Sequence, residues 1–284
     1  MKLGAFAFAA AAVLATTAQA QTSPLERGHY LATTIAACGS CHTPKGAGPG
    51  GELPGMELAG GFTIRDDAFT AVVPNITPDK ETGIGNWTDA QITTALREGK
   101  RPDGTLIGPP MPIEFYRQWS DTDIAAIIAY LRSVKPVSNK VGKSTYNVPL
   151  PASYGPPVGH VADVSPSDPV KYGAYLAGPL GHCMECHTPL VTGELDLANQ
   201  AGRGGRVFGG PNGPVVSRNI TPHKEDGLGA WSDADIKRAV TQGISKDGSK
   251  LSPPMSFAYY ARMSESDLNA ILAYLKTLKP LTTN

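Results

Sequence analysis

The chain reads as an all-α protein of two tandem helical domains joined by Gly/Pro-rich loops. Three observations predict this. The sequence repeats itself at an offset of 144–145 residues. Each copy carries three helix-start signals followed by apolar residues at helical spacing. Neither copy shows a run of alternating apolar and polar residues long enough to read as a strand.

The repeat is visible once the halves are aligned. Gly28-His29-Tyr30-Leu31-Ala32 matches Gly173-Ala174-Tyr175-Leu176-Ala177, and Cys38-Gly39-Ser40-Cys41-His42-Thr43-Pro44 matches Cys183-Met184-Glu185-Cys186-His187-Thr188-Pro189, both at an offset of 145. Further on the offset is 144: Asn75-Ile76-Thr77-Pro78 with Asn219-Ile220-Thr221-Pro222, Trp87 with Trp231, Pro109-Pro110-Met111 with Pro253-Pro254-Met255, and Lys135-Pro136 with Lys279-Pro280. The one-residue difference lies in the loop after each cysteine motif. The expected domains are 21–137 and 167–284. The linker between them, 138–166, contains Pro149, Pro151, Pro156, Pro157 and Pro166, lacks apolar periodicity and is expected to run extended along the domain surfaces.

The helix signals recur with the repeat. Ser23-Pro24-Leu25-Glu26 is a capping box with proline at the first helical position, and Asp168-Pro169 starts its counterpart. Thr88 and Ser232 cap a second helix in each half, ending near Gly99 and Gly243. Ser120 and Ser264 cap a third, with Ile124, Ile127, Ile128 and Leu131, or Leu268, Ile271, Leu272 and Leu275, on one face. Three short helices bury little apolar surface for about 110 residues, so a large flat apolar cofactor would complete such a core.

Lys2, an apolar run and Ala18-Gln19-Ala20 predict an export leader over 1–20, cleaved after Ala20. No later run is apolar and long enough to cross a bilayer. The expected location is the periplasm, with no integral membrane segment after cleavage. Twenty-five basic and 25 acidic residues give zero formal charge, which argues against a nucleic-acid partner and against strong steering of a charged one.

The chain has four cysteines: Cys38, Cys41, Cys183 and Cys186. Two disulfides inside Cys-x-x-Cys loops would close only tiny chain loops and staple little. One zinc site would have to unite pairs 145 residues apart, far beyond usual zinc-module spacing. The histidine directly after each pair, His42 or His187, decides between these readings. Cys-x-x-Cys-His is the attachment signature of c-type haem: two thiols bond the two vinyl groups of one porphyrin, and the next residue sets an imidazole on the iron. Two such sites predict two covalently bound haem c groups.

The candidate sixth ligands are Met111 and Met255. Each follows a Pro-Pro pair, 69 or 68 residues after its histidine. Histidine–methionine ligation raises the potential and suits electron transfer. Met56, Met184 and Met263 have no partner in the repeat and read as core filling. His29, His160, His182 and His223 do not recur and read as surface or structural residues. Trp87 and Trp231 read as core packing, and Asn75 and Asn219 as loop-ordering residues.

The Cys-x-x-Cys-His-Thr-Pro sites, the Asn-Ile-Thr-Pro segments with their downstream Trp87 and Trp231, and the Pro-Pro-Met pairs resemble those of dihaem and multihaem cytochromes c related to the cytochrome subunits of periplasmic alcohol, aldehyde and gluconate dehydrogenases. The resemblance covers nearly all of the expected mature chain. It implies cytochrome c-type domains, His/Met ligation and electron transfer from a dehydrogenase towards another cytochrome, a quinone or an oxidase. The larger subunits of that group resemble three such domains followed by a membrane-binding tail. Two domains are read here, so direct quinone reduction and stable membrane attachment are not expected. Two other readings stay open: a dihaem redox enzyme such as a cytochrome c peroxidase or thiosulfate dehydrogenase, and a disulfide-stapled module without haem.

Overall fold

The computed structural model describes residues 23–46, 51–210 and 213–283. The leader expected at 1–20 lies outside the described residues.

In the first half, α1 (Pro24–Tyr30) starts from the full capping box of Ser23 and Glu26 and runs through a π-helical turn, Leu31–Ile35, into α2 (Gly39–His42). After β1 (Thr63–Arg65) and β2 (Phe69–Val72) come α3 (Asp89–Glu98), α4 (Ile113–Tyr116) and α5 (Asp121–Ser133). Thr88 caps α3 and Gly99 ends it in the left-handed conformation; Ser120 caps α5. β3 (Thr145–Tyr146) lies within the linker and pairs with β2.

The second half repeats this order. It runs α6 (Pro169–Tyr175), a π-helical turn at Leu176–Leu180 and α7 (Cys183–His187). Two hairpins follow, β4 (Leu190–Val191) with β5 (Glu194–Leu195) and, after α8 (Leu197–Gln200), β6 (Val207–Gly210) with β7 (Gly213–Val216). Then come α9 (Asp233–Gln242), α10 (Phe257–Tyr260) and α11 (Glu265–Leu275).

The architecture is therefore mostly helical, as the sequence predicts, with short antiparallel hairpins added. These hairpins escape the alternation test because each strand has only two to four residues.

In each half the first helix crosses the third so closely that only glycine fits. A Cβ on Gly28 would lie 1.8 Å from the Ala126 carbonyl oxygen, and one on Gly173 would lie 1.9 Å from that of Ala270. Those crossings bury Leu31, Ile35 and Ile127 in one half and Leu176, Leu180 and Leu272 in the other. Leu31, Ile35, Ile127, Leu176 and Leu180 join a single apolar core that also contains Trp119. One continuous core makes the two halves one packing unit.

The linker closes on the first half. Asn75 Nδ2 donates to the Val137 carbonyl (2.8 Å) and Asn139 Nδ2 to that of Ala59 (2.9 Å), before Thr145 pairs with Thr70. In the second half Asn219 Nδ2 donates to the Leu281 carbonyl at 2.6 Å. Asn75 and Asn219 also accept from the backbone N–H of Thr77 and Thr221, both at 2.9 Å. Each Asn-Ile-Thr-Pro segment thus ties its loop to the chain beyond the third helix.

Candidate metal centres

Each cysteine motif is set up by a backbone device. The residue before the first cysteine is left-handed although it is not glycine: Ala37 has φ +47° and His182 has φ +39°. Such a conformation persists only where the surroundings enforce it. In each half, the preceding π-helical turn enforces it from one side and the motif helix from the other. Cys38 N–H reaches back to the Ala32 carbonyl (2.9 Å), and His182 N–H to that of Gly178 (2.8 Å).

The four thiols are free. Burial pushes Cys38 and Cys186 up to about 12 and Cys183 to about 11, and raises Cys41 as well. Burial favours the neutral, protonated form of all four thiols.

His42 and His187 are held identically. The His42 Nδ1 lies 2.9 Å from the Pro74 carbonyl oxygen, and the His187 Nδ1 lies 2.6 Å from that of Arg218. A carbonyl only accepts, so Nδ1 carries the proton and Nε2 keeps its lone pair for a metal. Burial lowers the pKa of both imidazoles, opposed by the carbonyl bond, which favours the neutral form that ligates.

The carbonyls reach the histidines because glycines let the backbones meet. Gly60 N–H donates to the His42 carbonyl and Gly204 N–H to the His187 carbonyl, both at 2.7 Å. A Cβ on Gly60 would sit 2.4 Å from the Pro74 carbonyl carbon, and one on Gly204 would sit 2.5 Å from that of Arg218. Both glycines have positive φ, +73° and +76°. The threonine after each histidine fastens the same loop: Thr43 Oγ1 accepts from Leu58 N–H (3.1 Å) and Thr188 Oγ1 from Gly202 N–H (3.3 Å). Gly60, Gly204 and the two carbonyls lie outside the motifs legible in the sequence. The signal was available, because Gly60-Gly61 and Gly204-Gly205 repeat at the same offset of 144.

Met111 and Met255 are half-buried just ahead of α4 and α10. Met111 packs against the shared core. The Met111 carbonyl accepts from Ile113 N–H (2.9 Å) and the Met255 carbonyl from Phe257 N–H (3.0 Å), so both methionines have one backbone setting. The preceding Pro109-Pro110 and Pro253-Pro254 bonds are both cis.

The unrepeated histidines are engaged elsewhere. His29 stacks edge-on against Tyr130, His160 contacts Asp121, His182 contacts Glu185, and His223 accepts from Asp226 N–H. Trp87 is half-buried against the core.

Each half thus offers two unpaired thiols and, one residue on, a neutral imidazole with its Nε2 unclaimed. That donor set fits a covalently held haem.

Comparison with known proteins agrees. The Cytochrome c family profile matches residues 25–135 and 171–279. The chain is 33% identical over 279 residues to the fructose dehydrogenase cytochrome subunit of Gluconobacter japonicus, covering 93% of this chain and 54% of that one. It is 33% identical over 270 residues to the cytochrome c subunit of the alcohol dehydrogenase (quinone) of Gluconobacter oxydans, covering 89% and 54%. It is 32% identical over 255 residues to a dihaem cytochrome c-type protein of Cereibacter sphaeroides, covering 84% and 81%. The chain therefore spans about half the length of the two dehydrogenase subunits and most of the dihaem protein. With a profile match in each half and a haem-binding motif in each match, this chain belongs to the cytochrome c family as a dihaem member related to dehydrogenase cytochrome subunits.

Proposed function

We propose that this protein is a periplasmic electron carrier that takes electrons from a dehydrogenase and passes them to another cytochrome or an oxidase of the respiratory chain. The single observation that carries this reading is the equivalence of the two centres: the same carbonyl-tethered histidine and the same Pro-Pro-Met setting in both halves. A dihaem enzyme needs one iron open to substrate, and nothing in these two settings sets one apart. Domains 21–137 and 167–284, with residues 1–20 removed on export, are part of the proposal.

Haem c supplies a one-electron ferrous/ferric couple when bound. The chain's own residues do the rest. Cys38 and Cys41, or Cys183 and Cys186, fix the porphyrin covalently. The Pro74 and Arg218 carbonyls orient His42 and His187 as ligands and raise their basicity. Met111 and Met255 would supply each haem iron with a thioether ligand, which would raise its potential. No helix among the described residues is long and apolar enough to cross a membrane.

The test replaces the methionines. Met111→Ala and Met255→Ala should each abolish the far-red methionine–iron absorption band of one haem and lower that haem's potential. Unchanged spectra in both variants would sink the ligand assignment. Rapid turnover of peroxide or thiosulfate by the purified protein would instead favour an enzyme.

A further inference from the structure

The halves are joined by a reciprocal exchange. Ser120 and Ser264 each cap their own helix by accepting from the N–H of Asp123 and Asp267, both at 3.1 Å. The N–H of each serine points instead at the opposite half. Ser264 N–H donates to the Tyr30 hydroxyl and Ser120 N–H to the Tyr175 hydroxyl, both at 3.0 Å. Those hydroxyls then donate to the buried carboxylates behind the caps, Tyr30 to Asp267 (2.6 Å) and Tyr175 to Asp123 (2.8 Å). Tyr175 corresponds to Tyr30 in the repeat, Ser264 to Ser120 and Asp267 to Asp123. Each half thus closes the helix end of the other, as the subunits of a symmetric dimer do across a two-fold axis.

The cysteine motifs meet along this seam. A Cβ on Gly39, inside the first motif, would lie 2.2 Å from the Tyr259 hydroxyl of the second half. The Tyr116 ring of the first half lies 6.1 Å from the ring of His182, next to Cys183. A Cβ on Gly181 would lie 3.5 Å from Ile35 Cγ2, so the chains leading into the two motifs touch. Trp119 Nε1 donates across the seam to the Pro179 carbonyl (2.6 Å), and Arg262 donates back to that of Thr33.

We propose that Tyr30 and Tyr175 are positioning residues for electron exchange between the two haems: their crossed hydrogen bonds fix the distance and angle at which the two attachment motifs face each other. With haem bound at both motifs, an electron on either would pass to the other inside one rigid unit, one iron being oxidised as the other is reduced. Two linked domains otherwise move relative to one another by default. Each crossed set is anchored on a buried carboxylate and a helix cap, so it holds orientation as well as contact.

The inference rests on haem attachment at both motifs, not on the methionine ligands or the electron donor. If Met111→Ala and Met255→Ala leave the spectra unchanged, the ligand assignment falls and this inference stands.

The test uses the full haem-loaded protein with Tyr30→Phe, Tyr175→Phe and the double variant. The expected result is unchanged haem content and spectra, faster amide exchange at Ser120 and Ser264, and inter-haem electron exchange after flash reduction slowed by about tenfold in the double variant, as a small misplacement of reacting partners does. Asp267→Asn keeps an acceptor oxygen for the Tyr30 hydroxyl and should preserve the exchange rate, whereas Asp267→Ala should slow it. Exchange at the parental rate in the double variant, with both serine amides exposed, would overturn the proposal. If the double variant does not fold, Tyr30→Phe alone should expose the Ser264 amide and slow the exchange while Tyr175 and Arg27 still brace Asp123, and exchange at the parental rate with the Ser264 amide exposed would overturn the proposal.

Discussion

The first half anchors its third helix with a charge, whereas the second half has a neutral side chain at the matching place. Arg27 reaches Asp123 with two hydrogen bonds, while the matching place in the second half holds Tyr172, whose hydroxyl accepts from Arg27 at 3.3 Å. Other differences follow the same geography. Trp119, fully buried, corresponds to half-buried Met263. The hairpin of β1 and β2 gains β3 as a third strand, but the hairpin of β6 and β7 carries Pro214 where Thr70 pairs with Thr145. Proline has no N–H to offer and blunts that edge. What the halves share lies on the cysteine–histidine motifs and in the crossed tyrosine bonds; what they do not share lies elsewhere on the seam and at the rim. Ligand geometry admits few solutions, while the rest of the seam needs only one working set of contacts.

The sharpest way to break this comparison is at the shared glycines. Gly60→Ala and Gly204→Ala each force a Cβ into a neighbouring backbone at positive φ. The loops must shift and the carbonyl must leave its histidine. Each change should cost about 3 kcal/mol in denaturant unfolding and disturb the spectrum of one haem. Equal losses in the two halves are expected. A loss confined to one half would show that the halves hold their histidines differently.

The second way is to make the halves more alike. Trp119→Met imitates Met263 but empties part of a fully buried site and strands the Pro179 carbonyl. It should cost about 2 kcal/mol, and Met263→Ala less, since Met263 is partly exposed. Comparable losses from both would mean that the seam is loaded evenly after all.

The parts of this arrangement legible in the sequence are local or repeated. Ser23, Thr88, Ser120 and Ser264 mark helix starts because a capping side chain needs only neighbours one turn away. Cys38 to His42 and Cys183 to His187 are legible because thioether attachment fixes their spacing. The crossed bonds of Tyr30 and Tyr175 are not, because their partners lie 237 and 52 residues away along the chain. Nor are the carbonyls of Pro74 and Arg218, since a backbone acceptor leaves no mark on residue type. The repeat still held part of the answer. Tyr30 and Tyr175 recur, but nothing in the sequence shows a hydroxyl's partner.

The smallest expected effect concerns the start of α5. Asp121 corresponds to Glu265, which pairs with Lys237 in the second half. The Asp121 carboxylate instead accepts from His160 Nδ1 (2.5 Å) and from Arg97 (2.7 Å). These two bonds, the histidine's first, hold its pKa down to about 2 from an ordinary 3.8. A carboxyl held lower in the folded state than in the unfolded one adds stability above the unfolded value, and that stability is lost as pH falls through the folded one. The window is therefore pH 4 to 2. The side chain is 46% exposed, so solvent screening leaves well under about 1 kcal/mol. Urea unfolding at pH 5, 3 and 2 should show Asp121→Asn losing stability relative to the parent at pH 5 and converging with it by pH 2. A constant gap across that window would assign the effect to lost hydrogen bonding rather than to charge.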